Sequence, residues 1–355
     1  MRTSFMTGVV AAGLAAALTA SAVQAETVAD FYQGKTVSIV IGASMGGSYG
    51  MYSQLVARHL PRHIPGNPAM IVQARPGAGG VVALNYMHNV APRDGTVMSM
   101  VASAVVFETV LNEKAQFDAN AFQYLGRLVS TDMIGVVSRA SGITSLEDLK
   151  SRNAVFGGSG ARNGLSISAQ LVRQVADVNI RVITGYPGVG PITQAVEAGE
   201  IDGMSTTVVS PQYLQFIDRY RKGEQTDLIP IYSATLERTA DLPDVPSLGD
   251  MNPSQDMIGF VNVFVSQGIV GRSLAFPAGV PEDRVAAFRA GFEAMLKDEE
   301  FRADVAKASI PLDPMTGPQL QERVAAIIAA NPPEKVAATR AVYENIIETL
   351  SKMAK

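Results

Sequence analysis

The sequence contains no cysteine and no tryptophan, and it has three histidines among 355 residues. The absence of cysteine excludes disulfide bonds, thiolate catalysis, cysteine-ligated zinc and a lipid-carrying amino-terminal cysteine. Neither sign of charge dominates, because 29 lysines and arginines face 33 aspartates and glutamates, which gives a net charge of −4. This balance argues against a general nucleic-acid surface or an anionic-membrane surface.

One long apolar stretch is present, and it lies at the amino terminus. An uncharged run from Phe5 to Ala20 follows Arg2, and Val23-Gln24-Ala25 offers the small residues that a signal peptidase reads. The pattern predicts a secretory signal peptide over residues 1–25. The alternative, a membrane anchor, is disfavoured because the run is shorter than the ~20 residues that span a bilayer. We therefore expect a periplasmic protein with 28 basic residues (29 less Arg2) and 33 acidic residues, a net charge of −5.

Short apolar runs alternate with helical patterns from Lys35 onward. Strands are predicted at 36–41, 70–74, 97–102, 154–157, 181–183, 201–205, 228–233 and 261–265, and helices at 49–60, 81–90 and 165–176. Residues from about 281 onward are predicted to be helical. Strands that alternate with helices are typical of α/β proteins with mostly parallel sheets.

The chain length suggests two domains with sizeable cores. Two α/β modules joined near 130–137 and again near 255–265 would return the carboxyl-terminal part to the first module. The sequence therefore predicts domain 1 over 26–133 plus 263–355 and domain 2 over 134–262, with a ligand cleft at the hinge.

Glycine-rich loops between predicted strands and helices are the most informative local feature. They are residues 44–48, 76–80, 157–164 and 185–190. In an open α/β sheet a ligand sits at the carboxyl ends of the strands, where helix amino termini present free N–H groups and a positive dipole end. The loops therefore predict a site for an anion such as a carboxylate or phosphate. The alternative, that each loop is only a tight turn, stays open for any single loop.

One loop also fits a catalytic motif. Gly46-Gly47-Ser48-Tyr49-Gly50 matches the G-x-S-x-G nucleophile elbow, with Ser48 as the nucleophile of a secreted hydrolase. The motif requires a histidine far downstream, but the last histidine is His88. We therefore interpret Ser48 as a helix N-cap and predict that the protein is not an enzyme.

Two further motifs are incomplete. Residues 158–163 resemble the G-x-G-x-x-G dinucleotide loop but lack its third glycine. His59 and His63 are four residues apart, but Pro61 lies between them and the glutamate of a zinc-protease motif is missing. We interpret both histidines as exposed helix-end residues and expect no cofactor and no metal.

Taken together, several segments resemble the extracytoplasmic solute-binding proteins of the tripartite tricarboxylate transporter system, the TctC or Bug family. The segments that carry the resemblance are 31–35, 46–49, 75–80 (Arg-Pro-Gly-Ala-Gly-Gly), 91–96 (Ala-Pro-Arg-Asp-Gly-Thr), 185–188, 199–203, 242–247 and 276–281. The resemblance covers almost all of the mature chain. It implies a two-lobed protein that closes on a small organic acid and delivers it to a membrane permease.

The resemblance also implies a set of binding residues, because the family holds a carboxylate with backbone groups and ordered water from loops of both lobes. The first-lobe candidates are Met45, Gly46, Gly47, Ser48, Tyr49 and Ser103. The second-lobe candidates are Ser159, Gly160, Arg162, Asn163, Gly185, Tyr186, Pro187, Thr206 and Thr207.

The chain departs from the family at several of these positions. It has Gly50 and Gln54 where the family commonly has Asp and Arg, and Thr206 where a second-lobe strand often ends in Asp. The missing acid argues against a ligand with a cationic group. For Arg162 two interpretations stay open: a pair with a second carboxylate of the ligand, or an exposed loop arginine.

We therefore expect a monomeric binding protein for a small carboxylate, with permease subunits as partners and no affinity for nucleic acid. A role in sensing, in which ligand status passes to a membrane receptor, is not separated from transport by the sequence. Dicarboxylates, tricarboxylates, aromatic acids and monocarboxylates all remain open as ligands.

Overall fold

The computed structural model describes residues 26–239 and 242–353. The predicted signal peptide therefore lies outside the described residues. Within the described ranges, no helix combines the length and the apolar character that crossing a membrane requires.

The described chain forms an α/β protein with two sheets. The strands are β1 (Thr36–Ile41), β2 (Ala69–Ala74), β3 (Val97–Met100), β4 (Gln123–Val129), β5 (Met133–Ser138), β6 (Ala154–Gly158), β7 (Ile180–Thr184), β8 (Gly203–Thr207), β9 (Leu228–Ser233), β10 (Arg272–Phe276) and β11 (Met315–Thr316). The helices are α1 (Val28–Tyr32), α2 (Ser48–His59), α3 (Val81–Asn89), α4 (Val105–Leu111), α5 (Gly164–Ala176), α6 (Val189–Glu197), α7 (Pro211–Arg221), α8 (Gln255–Val265), α9 (Gln267–Val270), α10 (Glu282–Lys297), α11 (Glu299–Lys307), α12 (Gly317–Ala330) and α13 (Ala337–Met353).

Each sheet is parallel in one half and antiparallel in the other. The six-stranded sheet has the order β11-β4-β10-β3-β1-β2, and the five-stranded sheet has the order β7-β6-β8-β5-β9. The pairs of β1 with β2 and β3, and of β6 with β7 and β8, are parallel, whereas β10 and β5 pair antiparallel with their neighbours. We call the elements on the six-stranded sheet the first lobe and those on the five-stranded sheet the second lobe. This architecture confirms the predicted fold class, and the parallel halves carry the glycine loops.

Helices cover both faces of each sheet. In the first lobe α2, α10 and α11 pack on one face and α3 and α12 on the other. In the second lobe α6 and α7 cover one face, while α5, α8 and α13 cover the other. Strands β3, β8 and β10 are therefore buried at every residue, because helices cover both faces of the sheets to which they belong.

One predicted strand is wrong. Residues 261–265 belong to α8, whose Phe260, Val261 and Phe264 are buried against α4 and α13. A short run of apolar residues fits a buried helix as well as a buried strand, because periodicity alone does not separate the two.

Two of the segments through which the chain crosses between the lobes are adjacent. The first, between β4 and β5, leads into the second lobe, and the second, α9, leads back into β10. The segments are joined where the Thr131 amide donates to the Gly268 carbonyl, at 3.1 Å. These are the segments at which a hinge would lie.

The last helix returns to the second lobe. The sequence assigns residues 263–355 to domain 1, but α13 packs against α5, α8 and β7, with Tyr343, Ile346 and Leu350 buried there. Its neighbour α4 of the first lobe contacts the same cluster through Phe107, whose ring centroid lies 6.0 Å from that of Tyr343. The predicted domain boundaries stay a prediction, and α13 is the part of the chain whose packing differs from them.

The two histidines of the α2 region belong to a network of ion pairs. His59 is fully buried; its Nε2 lies 2.9 Å from Asp304 Oδ2, and its Nδ1 lies 2.9 Å from Arg62 Nη2. Arg62 also binds Asp298 and Glu300. His63 is half-buried, with Nε2 3.1 Å from Asp298 Oδ2, so the interpretation of both histidines as exposed residues is wrong. The ligand atoms of His59, Asp298 and Glu300 lie within 4.8 Å of one another, but Arg62 occupies that space as the counter-ion of both carboxylates.

This network predicts a loss of stability in acid. Hydrogen bonds from Arg62 to Asp298, and from Arg58 to Asp304, hold the pKa of each carboxyl well below its usual range. A lowered folded-state pKa contributes stability that is present above the unfolded-state pKa of ~3.9 and is lost as pH falls through the folded-state value. We expect the melting temperature to fall between pH 4 and pH 2, and Asp298→Asn to flatten that fall.

The matched control is Asp177→Asn, which removes an exposed aspartate from a left-handed position that asparagine tolerates. This variant should keep the wild-type dependence on pH. Equal acid sensitivity of the wild type and Asp298→Asn, measured by thermal denaturation at each pH, would contradict the role of the network.

Candidate functional site

A cavity of about 280 Å³ lies between the two lobes, at the carboxyl ends of the parallel strands. Loops after β1, β2 and β3 form its first-lobe wall, and loops after β6 and β7 form its second-lobe wall. This is the position that the strand order of open α/β sheets favours for a ligand. The glycine-rich loops predicted from the sequence therefore do converge on one cleft.

Ten of the predicted site residues line this cavity. They are Gly47, Ser48, Tyr49, Ser103, Ser159, Asn163, Gly185, Tyr186, Pro187 and Thr207. The remaining five lie beside the cavity rather than on its wall: Met45, Gly46, Gly160, Arg162 and Thr206. Thr206 is buried with its hydroxyl 2.8 Å from Ser210 Oγ, and Met45 is exposed.

Helix amino termini from both lobes open onto the cavity. The N-cap residues of α2, α5 and α6 are Gly47, Asn163 and Gly188, and all three line it. The N-caps of α2 and α6 are glycines, which have no side chain to bond the first amides, and these amides can therefore face a ligand. The aligned peptide dipoles place about half a positive charge at each such end. The electrostatic potential of the cleft thus favours an anion.

The sequence did not identify Arg272 as a site residue, although among the cavity-lining residues that the structure describes it is the one with a charged side chain. Arg272 begins β10, a strand that was not predicted from the sequence, and it is 2% exposed. Its Nη2 and Nε donate to Ser48 Oγ at 2.6 and 3.0 Å, and its Nη2 also lies 3.3 Å from Thr207 Oγ1. The sequence feature that could have indicated it is a single arginine shortly before the apolar run Leu274–Phe276.

The aromatic ring of Tyr49 packs against the guanidinium group of Arg272. The guanidinium carbon lies 4.0 Å from the centroid of the Tyr49 ring, a cation–π distance. The Tyr49 hydroxyl accepts from the Ser103 amide at 2.9 Å, which fixes the ring against the loop after β3. Three predicted residues thus form one assembly with Arg272, namely Ser48, Tyr49 and Ser103.

Loops of the two lobes touch on either side of the cavity. A Cβ atom placed on Gly79 of the first lobe would lie 2.5 Å from the Asn163 amide nitrogen of the second. On the other side, a Cβ on Gly188 would collide with the Ser44 hydroxyl. The lobes therefore meet in a closed arrangement that depends on glycine at both contacts.

Arg162 is engaged outside the cavity. Its Nη1 donates to Tyr343 Oη at 2.6 Å and lies 3.3 Å from Glu108 Oε2, and its Nη2 lies 3.7 Å from Glu344 Oε2. Glu108 is fully buried on α4 and also accepts from Asn112 at 2.8 Å. Arg162 thus links the second-lobe loop to α4 and α13. Its pairing with a second ligand carboxylate stays a prediction.

The environment of Ser48 differs from that of a nucleophile. Ser48 is the first residue of α2 and Gly47 is its N-cap, so the prediction of Ser48 as the cap is wrong by one residue. The Ser48 oxygen accepts from the Arg272 guanidinium, and no histidine lies among the cavity-lining residues of the described chain. An arginine does not act as the general base that a serine nucleophile needs.

The sequence model of a family described as "Tripartite tricarboxylate transporter family receptor" matches residues 56–270. The chain belongs to this family. A UPF0065 protein of Bordetella bronchiseptica is 24% identical over 246 residues, which cover 67% of this chain and 68% of that protein. A UPF0065 protein of Cupriavidus necator is 27% identical over 252 residues, with 68% and 72% covered. The resemblance predicted from the motifs is thereby confirmed.

Solved structures of other proteins share the fold of this chain. The periplasmic binding protein BugD superposes with a TM-score of 0.66 at 15% identity, over 89% of this chain and 98% of BugD. MatC of Rhodopseudomonas palustris with bound malate gives 0.59 at 18% identity, over 90% and 98%. A protein of R. palustris with adipate gives 0.64 at 17% identity, over 89% and 97%. At these identities the superpositions establish the fold of this chain and nothing further.

Proposed function

We propose that this protein is a periplasmic solute-binding protein that captures a small organic carboxylate between its lobes and delivers it to a tripartite tricarboxylate-type permease. One observation carries the proposal: helix amino termini of both lobes, α2 and α6, have glycine N-caps and open onto one cavity, and none of the described residues that line this cavity is acidic. Free amides and helix dipoles stabilise a negative charge there.

Relatives and sequence features support the same function. Two proteins of the same fold were solved with the dicarboxylates adipate and malate. The amino-terminal pattern of the chain is typical of export. The serine and histidine environments described above support a binding role without chemistry. Under this proposal the ligand contacts come from the predicted residues that line the cavity.

The proposed mechanism is closure of the lobes around the ligand. The crossing segments near Thr131 and Gly268 act as the hinge, and the loops at Gly79 and Gly188 meet when the cleft closes. A ligand shifts such an equilibrium only through its greater affinity for one state. An anion that contacts α2 of the first lobe and α6 of the second satisfies this condition, because it contacts both lobes only in the closed state.

We expect small carboxylates to raise the melting temperature of the purified mature protein. A ligand that binds only the folded state adds about 2.7 kcal/mol of stability at a concentration of 100 times its Kd. The panel comprises malate, adipate, succinate, citrate, hexanoate and benzoate, with the matching uncharged methyl esters as controls.

The protein should be unfolded, dialysed and refolded before the screen, so that a co-purified ligand does not mask the shift. A stabilising acid whose ester has no effect supports the proposal. If no acid in the panel changes the melting temperature or gives heat in titration calorimetry, a carboxylate-binding function is refuted.

A further inference from the structure

Two arginines, Arg127 and Arg272, are buried in neighbouring strands, and they differ in whether a carboxylate lies beside the guanidinium group. Arg127 of β4 is 5% exposed and binds Asp313, with Nη2 at 2.8 Å from the carboxylate Oδ2. It also donates to the Ile269 and Asp313 carbonyls. Arg272 of β10 is 2% exposed, and its partners are two hydroxyls, one carbonyl and the face of Tyr49. In the described ranges, no carboxylate lies within ion-pair distance of Arg272.

A buried cation without a counter-ion is unfavourable, because desolvation is not offset by a nearby negative charge. Burial lowers the pKa of Arg272 from its ordinary value, although arginine retains its proton under physiological conditions. The Ser48 and Thr207 hydroxyls accept hydrogen bonds from the guanidinium but supply no charge. Arg272 lies on the cavity wall, so a bound anionic ligand would supply the negative charge that its protein surroundings lack.

We propose that Arg272 is the direct counter-ion of the ligand carboxylate and thereby the residue that sets the affinity and the charge selectivity of the cavity. This inference rests on the proposed function and extends it from backbone capture to a specific side chain. A guanidinium presents parallel N–H donors that match the two oxygens of a carboxylate.

The position of Arg272 also couples the ligand charge to the lobes. Its Nη2 contacts Ser48 Oγ at the start of first-lobe α2 and Thr207 Oγ1 at the end of second-lobe β8. The arginine itself begins β10, directly after the segment that returns from the second lobe. A carboxylate bound to Arg272 therefore lies where both lobes and the hinge meet, so that its charge acts on closure as well as on affinity.

The experiment compares Arg272→Met with Arg127→Met, which removes a buried arginine of the same sheet that already has its carboxylate. Each protein is refolded free of ligand, its melting temperature is measured in carboxylate-free buffer, and adipate, malate and benzoate are then titrated by calorimetry. We expect Arg272→Met to raise the Kd for the bound acid about 100-fold, the loss of one charged hydrogen-bonded pair. Its ligand-free melting temperature should equal or exceed that of the wild type, because an unpaired buried charge is removed.

Arg127→Met should show the reverse pattern, a lower melting temperature with an unchanged Kd. Arg272→Gln, which keeps an amide donor near Ser48 and Thr207, serves as a second variant and should also lose binding. Wild-type affinity in either Arg272 variant would overturn the inference while leaving the proposed function intact. A ligand-free loss of stability in both Arg272 variants as large as that of Arg127→Met would assign Arg272 a structural role and also overturn it.

If the wild type bound none of the three acids, the proposed function would fail for them. The ligand-free comparison would still decide about Arg272. If ligand-free Arg272→Met melted at or above the wild-type temperature, the inference that Arg272 is an unpaired cation kept for a ligand would stand. If it melted clearly below the wild type, the inference would be rejected.

Discussion

Replacing Gly79 by alanine is expected to weaken ligand binding at least tenfold, because the new methyl group prevents the lobes from meeting. The added Cβ would lie 2.5 Å from the Asn163 nitrogen and 2.6 Å from its Cα, and both are backbone atoms that cannot rotate away. The added methyl group would hold the loops after β2 and β6 apart, so that the two lobes could not close to the same extent. If the binding-competent state is populated ten times less, the apparent Kd rises about tenfold.

The effect must be distinguished from backbone strain, because Gly79 has a φ of +70°. Gly223→Ala is the matched control: its φ is +71°, and no atom lies within 4 Å of the added Cβ. An L-residue in the left-handed region costs about 1–2 kcal/mol at either position. We therefore expect both variants to lose similar stability without ligand, and Gly79→Ala alone to lose affinity in calorimetry.

Solution scattering provides the second measurement. With saturating ligand, the radius of gyration of Gly223→Ala should decrease to the wild-type value, whereas that of Gly79→Ala should remain larger. Unchanged affinity and unchanged compaction of Gly79→Ala would mean that the contact between Gly79 and Asn163 is not part of closure.

The parts of the fold that the sequence predicted are those governed by local chemistry. The strand at 36–41 agrees with the structure at both ends, because a run of mostly β-branched residues lies between Gly34-Lys35 and Gly42. The glycine loops were recognisable because helix and strand patterns flank them. Their convergence on one cavity follows from the parallel strands, whose carboxyl ends lie at one edge of each sheet.

The parts that were missed depend on contacts between distant segments. Arg272 is recognisable as a site residue through its hydrogen bond to Ser48, which lies 224 positions earlier in the chain. The partners of Arg162 are Glu108 and Tyr343, which lie 54 and 181 positions away. The run at 261–265 was too short to separate a helical period from a strand period, although Gln255 and Asn262, which are exposed on α8, are seven positions apart. Sequence patterns report which residues are buried but not which partners bury them.

Replacing Arg162 by methionine is expected to destabilise the protein by about 3 kcal/mol at neutral pH. Glu108 is fully buried, and Arg162 is its cationic partner at 3.3 Å. Removing one member of a buried pair typically costs about 3–5 kcal/mol, and the 24% exposure of the Arg162 side chain places this pair at the lower end. The loss would be measured by denaturant unfolding of the ligand-free protein.

The same variant should acquire a characteristic dependence on pH. Burial raises the pKa of Glu108, while hydrogen bonds from Tyr343 and Asn112 and the charge of Arg162 oppose that rise. Without Arg162 the folded-state pKa rises further, so stability is fully present below the unfolded-state pKa of ~4.3 and is lost as pH rises through the folded-state value. We expect Arg162→Met to be nearly as stable as the wild type near pH 4 and markedly less stable at pH 8.

The double variant Arg162→Met, Glu108→Gln tests the cause, because glutamine keeps an oxygen that accepts from Tyr343 but carries no charge. It should recover much of the lost stability and lose the dependence on pH, a coupling that a mutant cycle measures directly. A double variant as unstable as Arg162→Met alone would contradict the ion-pair account. Ligand titration tests the predicted pairing of Arg162 with a ligand carboxylate: an unchanged Kd for adipate limits the guanidinium to its observed contact with α4 and α13. A selective loss of dicarboxylate affinity would instead place it in the cavity when ligand is bound.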